Sequence, residues 1–120
     1  MKILADVLIA LVALIHVYIV VLEMFLWSKP RGRAVFGTTE EFAAESAPLA
    51  ANQGLYNGFL VAGLVFALVA GGSTGFAFAV FFLVCVIVAG LYGGFTVSRR
   101  ILVVQSAPAA VALLVAVLAR

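Results

Sequence analysis

The chain has 120 residues, of which 67% are hydrophobic and 10% charged, with seven Lys/Arg against five Asp/Glu and a formal net charge of +2. Soluble domains carry about 25% charged residues, so this composition excludes an ordinary water-soluble domain, and its hydrophobicity excludes a disordered chain. It is the composition of a membrane protein, and the scattered basic residues form no long run of the kind that binds nucleic acid.

Four apolar stretches follow in order. The first runs from about Ile3 to Trp27, the second from about Asn52 to Ala70, the third from Phe76 to Ser98 and the fourth from Ile101 to Ala119. Each has the length needed to cross about 30 Å of hydrocarbon at about 1.5 Å per residue. Helices are required, because open strands would leave backbone groups unpaired in lipid. The first stretch begins directly after Lys2, lacks a small-residue cleavage site and contains polar residues, so it reads as a retained helix and not a signal peptide.

The breaks between stretches are also readable. Gly71–Gly75 forms one short turn and Ser98-Arg99-Arg100 another, and connections this short force antiparallel neighbours. The long connection is 28–51, where Thr38 and Glu41 have capping-box spacing and predict a short interfacial helix through Ala47, ending before Pro48. The expected architecture is an all-α, single-domain, up-down bundle of four transmembrane helices. Lys29, Arg31, Arg33, Arg99 and Arg100 stand on one side, against Lys2 and Arg120 on the other. That bias places the first and third connections in the cytoplasm and both termini outside, in an inner (plasma) membrane. Trp27 fits an interfacial anchor.

This topology gathers polar residues at one level. Glu23 lies one turn short of the end of the first span. The second span starts there with Asn52, Gln53, Tyr56 and Asn57; the third returns with Tyr92 and Thr96; the fourth leaves with Gln105 and Ser106. At 100° per residue, His16, Glu23 and Trp27 fall within about 40° on one face, with His16 roughly 10 Å deeper than Glu23. His16, Glu23, Trp27, Asn52, Gln53, Tyr56, Asn57, Tyr92 and Gln105 are therefore the candidate ligand-binding residues of a polar chamber. An ionisable group inside a span is a functional candidate by default, as proton carrier or general acid or base. The bland alternative is helix glue, with Glu23 hydrogen-bonded to Tyr56, Asn57 or Tyr92.

Gly54/Gly58/Ala62 and Gly90/Gly94/Ser98 are small-xxx-small patterns, suited to packing within the bundle or to a homodimer seam. Pro108 should kink the fourth span beside Gln105. Cys85 is the sole cysteine and His16 the sole histidine, with no paired metal-ligand motif, so neither a metal nor a cofactor is expected.

The run Asn52-Gln53-Gly54-Leu55-Tyr56-Asn57-Gly58-Phe59-Leu60 resembles the bacterial and fungal membrane family called domain of unknown function 1304. Supporting matches are His16 followed by Leu22-Glu23-Met24 and Trp27, then Phe36, Tyr92-Gly93, and Gln105 with Pro108. The resemblance spans nearly the whole chain and implies a small integral membrane protein with four spans; it implies no activity.

Three functions fit these residues. The leading one is binding, or transformation, of a small lipophilic or amphipathic molecule in the polar chamber, with the 28–51 connection as a lid. The second is proton-coupled export by a dimer. Size, four spans and a first-helix glutamate are similar to small multidrug resistance transporters, but the long first connection and the near-terminal Glu23 depart from them. The third is a structural or accessory membrane subunit.

Overall fold

The computed structural model describes residues 1–120, which form helices and turns with no strand. The elements are α1 (Lys2–Met24), α2 (Pro30–Phe36), α3 (Glu40–Ala70), α4 (Gly72–Thr96), a π-helical turn (Leu102–Ser106) and α5 (Ala107–Leu118). Three of them, α1, α3 and α4, are long and apolar enough to cross a membrane, whereas the stretch Leu102–Leu118 is shorter. Only 28% of the most apolar part of each long helix is buried, so most of its apolar surface faces outward.

The helix ends follow from local chemistry. No Gly or Pro interrupts α1, and it ends where the amides of Phe25 and Leu26 both donate to the Val21 carbonyl, at 3.0 and 3.1 Å. Trp27, expected inside the first span, thus lies beyond the helix, in the turn that feeds α2. Pro30 opens α2 at a position where its missing N–H would be unpaired anyway. Gly37 closes α2 in the left-handed conformation (φ 67°), and the amides of Gly37 and Thr38 both reach the Arg33 carbonyl, at 2.8 and 3.1 Å.

The expected short helix from Thr38 to Ala47 does not stand alone. Residues 40–47 form the first turns of α3, which runs unbroken through Pro48 to Ala70. The proline removes the amide that would pair with the Ala44 carbonyl. Ala44 and Pro48 are both exposed, so that carbonyl is open to solvent and the helix tolerates the loss. The short helix of the first connection is instead α2.

Thr39, rather than Thr38, caps α3: the Phe42 amide donates to Thr39 Oγ1 at 3.1 Å. Thr38 is already used by the end of α2, and its own hydroxyl is buried without a hydrogen-bond partner. Thr39→Ala is therefore expected to destabilise the start of α3 by about 1 kcal/mol, the usual loss of an N-cap side chain. Thr38→Ala should be neutral or mildly stabilising. Hydrogen exchange at residues 40–44 checks both, and equal effects at the two threonines would refute the assignment.

The α3–α4 turn is tighter than the five residues expected. Gly71 (φ 62°, ψ −173°) and Gly72 (φ 58°) make it, using backbone conformations that other residues avoid. Just before Pro108, where the sequence predicts a kink, stands the π turn. The Ala107 amide reaches five residues back to the Leu102 carbonyl, and Pro108 then sits in the first turn of α5, where it lacks nothing.

The chain packs as two units, one made of 1–15 with 60–120 and the other of 16–59. The core of the first unit brings Ile9 and Val12 of α1 against Leu64 of α3, Leu83 and Val86 of α4, and Ala109 and Ala112 of α5. Gly90 and Gly94 let α4 approach the π turn, where they meet Ser106 and Leu102. The buried Ser106 hydroxyl donates to the Ile87 carbonyl at 3.0 Å. Buried residues of the second unit include Leu22 and His16 of α1, Gly32 of α2, and Ala43, Ala50, Gly54 and Asn57 of α3.

Candidate functional site

The second unit contains seven of the nine candidate residues. Its polar centre is a pair. Asn57, buried on α3, donates its side-chain amide to Glu23 Oε1 on α1 at 2.6 Å. The same amide group donates to the Gln53 carbonyl at 3.3 Å. Gly54 makes the pair possible. It is buried on the same stretch of α3, and a Cβ there would collide with the Met24 side chain and press on Glu23 Cβ at 3.1 Å. Glycine thus lets the two backbones approach closely enough for a short asparagine to reach the carboxylate.

The pair has defined chemistry. Asn57 spends both amide hydrogens, on Glu23 and on Gln53, and the hydrogen bond to Glu23 engages Oε1. Glu23 Oε2 and Asn57 Oδ1 are the acceptor atoms that this arrangement leaves for a further donor. Glu23 is half-buried, so its carboxyl is held in place and still within reach.

The other candidates are distributed around this pair or apart from it. His16 is fully buried on α1. Seven residues of helix separate it from Glu23, about 10 Å along the axis, too far for a direct hydrogen bond. Asn52, Gln53 and Tyr56 are exposed on α3, with the Tyr56 ring 6.1 Å from that of Phe59. Trp27 donates its indole N–H to the Ser46 hydroxyl at 3.0 Å, and its ring lies 4.9 Å from Phe36. Ser46 in turn donates to the Phe42 carbonyl at 2.6 Å. Tyr92 and Gln105 belong to the first unit, Tyr92 exposed on α4 and Gln105 half-buried in the π turn.

Two polar contacts that hold the first connection leave no signal in the sequence pattern. One is Trp27–Ser46. The other is Arg31, whose Nε and Nη2 donate to the Tyr18 hydroxyl at 3.1 and 2.7 Å. Gly32 adds a steric lock, because its Cα lies against the Leu26 carbonyl with no room for a Cβ. The sequence pattern assigns Arg31 only to membrane orientation. Its spacing of 13 residues from Tyr18 carries no helical signal, since a turn intervenes. The connection expected as a lid is thus helical and tied to α1 and α3 at named points.

Comparison with known proteins places this chain in a family. Uncharacterized protein YpaA of Lactococcus lactis subsp. lactis (strain IL1403) is 34% identical over 116 residues, which is 95% of this chain and 97% of that protein. No solved structure matches the chain. The family model described as protein of unknown function (DUF1304) matches residues 10–117, from the first half of α1 to the last turn of α5 and through both Glu23 and Asn57. The chain therefore belongs to the DUF1304 family of proteins of unknown function.

Proposed function

We propose that the protein crosses the membrane four times and binds a small lipophilic or amphipathic molecule, bearing a hydrogen-bond donor, at Glu23 and Asn57. The spans are α1, the later part of α3, α4 and the stretch Leu102–Leu118. A helix of 31 residues such as α3 is about 46 Å long, against about 30 Å of hydrocarbon. Its charged start, with Glu40, Glu41 and Glu45, then projects beyond the apolar layer beside α2. Five basic residues in the first and third connections, against Lys2 and Arg120, favour cytoplasmic connections and outward termini in a plasma membrane.

The observation that carries the binding reading is the 2.6 Å hydrogen bond from Asn57 to Glu23 Oε1. It fixes a carboxyl group near a helix end while leaving Oε2 and the Asn57 carbonyl as acceptors. A hydroxyl, amine or amide of a ligand can meet both. The reading confines the site to residues of the second unit, with Gln53 and Tyr56 on the same helix as Asn57.

The same bond also favours the structural reading, in which the pair only joins α1 to α3. Native mass spectrometry separates them. The protein is released from mild detergent as wild type and as Glu23→Gln. Binding predicts a discrete small-molecule adduct on wild type that Glu23→Gln loses while staying folded. Bare protein in both samples would refute the binding reading and leave the pair as a packing device.

A further inference from the structure

The first unit contains a cleft that the Glu23–Asn57 site does not use. The start of α1, the end of α3, the start of α4 and the end of α5 enclose about 190 Å³. Its walls are apolar, with alanine and glycine predominating beside Ile9, Leu68 and Phe76. Ala5, Ala79 and Ala116 are almost fully buried there, and Gly75 closes against the Ala67 carbonyl. Side chains this short cannot fill the space between four helices, which is why the cleft exists.

The polar groups stand at its mouth. Lys2 Nζ pairs with Asp6 at 2.8 Å. The Arg120 guanidinium lies 4.2 Å over the Phe76 ring and is held by that face rather than by a carboxylate side chain. The side chains at the mouth therefore carry two positive charges and one negative, a balance of +1. Ile3, Val69 and Leu118, chain neighbours of lining residues, present exposed apolar surface.

Three observations select the occupant. The volume is below the roughly 300–1,000 Å³ of sites that enclose a drug-sized molecule, so the cleft takes one slim part of a larger molecule. The wall side chains carry no polar group, so that part is a hydrocarbon chain. The side chain at the mouth with no carboxylate side chain as partner is a cation, Arg120, and residues at the end of a membrane-crossing helix sit at headgroup level. We infer that this cleft holds one acyl chain of a monoanionic glycerophospholipid of the surrounding leaflet, with its phosphodiester at Arg120. The inference rests on the membrane reading but not on a ligand at Glu23.

The test uses the full chain in nanodiscs of equal parts phosphatidylglycerol and phosphatidylcholine. Native mass spectrometry then counts the lipids retained on stripping. Wild type should retain one phosphatidylglycerol in preference to phosphatidylcholine. Arg120→Gln should lower that preference about fivefold, the factor for one basic side chain at an anionic lipid surface. Ala119→Leu, which intrudes on the cleft and keeps every charge, should lower retention of both lipids. Soluble glycerol phosphate should not displace the lipid. Equal retention of the two lipids by wild type overturns the inference, as does an unchanged preference in Arg120→Gln. Displacement by glycerol phosphate also overturns it, because the chain would then be unnecessary. Failure of the protein to insert overturns the membrane reading and this inference together, whereas insertion without preference overturns this inference alone.

Discussion

Gly90→Ala is expected to destabilise the protein by about 1–3 kcal/mol, the range for overpacking a close contact, and by more than Ser106→Ala. An alanine Cβ at this buried position would strike the Ser106 hydroxyl, and it would lie 2.8 Å from the Ser106 backbone nitrogen and 3.0 Å from Gln105 Cβ. The hydroxyl can rotate away. The backbone nitrogen cannot, because it belongs to the π turn that absorbs Pro108. Ser106→Ala removes one hydrogen bond, to the Ile87 carbonyl, and such interhelical bonds average about 0.6 kcal/mol in membrane proteins. Steric exclusion thus outweighs the polar contact at the same point. Ser106→Gly in the Gly90→Ala background should restore only part of the loss, since it clears the hydroxyl and leaves the nitrogen. Thermal melts in detergent give the order. A Gly90→Ala protein that melts with wild type would refute the close approach of α4 to the π turn.

That contact shows how unevenly the fold was legible. Runs of apolar residues mark the long helices because lipid-length helices need little else. Gly71 marks a turn because its backbone conformation admits few other residues. The first connection was harder, because two local signals competed there. Thr38 and Glu41 match a capping box, but Gly37 closes α2 with a left-handed turn that commits the Thr38 amide to Arg33. The cap therefore passes to Thr39. Pro48 resembles a helix stop, yet it lies on an exposed face where a lone carbonyl can be solvated. Both outcomes depend on which way a residue faces, and that is decided by packing. The site divides similarly. Glu23 and Asn57 stand out as polar residues in apolar runs, and the sequence offers Asn57 as a partner of Glu23 alongside Tyr56 and Tyr92; the selection of Asn57, 34 positions away, depends on the approach allowed by Gly54. The contacts of Trp27 and Arg31 leave no periodic trace at all.

Asn57→Leu is expected to be the most damaging of the polar substitutions in the second unit, at about 3 kcal/mol. Leucine has the same branch point and heavy-atom count as asparagine, but its methyl groups take more room, so overpacking adds to the loss. What is lost is the donor to a half-buried carboxyl group, and leaving such a group without its partner costs about 1–3 kcal/mol, more if it is charged. Glu23→Gln behaves differently, because glutamine keeps a carbonyl that Asn57 can still reach, and its loss should stay below about 1 kcal/mol. Glu23→Leu strands the Asn57 amide with only the 3.3 Å bond to Gln53 and should fall between the two. The double variant Glu23→Leu/Asn57→Leu removes both partners and should recover much of the stability lost in Asn57→Leu, since two apolar groups in place of a buried polar pair are close to neutral. The four melts form a cycle whose coupling reports the pair itself. Simple additivity would mean that Asn57 and Glu23 act independently, and the binding reading would lose its anchor. Strong coupling with a well-folded Glu23→Gln protein makes that variant a clean probe, so that a ligand it fails to retain is lost because the carboxylate is gone and not because the helices have parted.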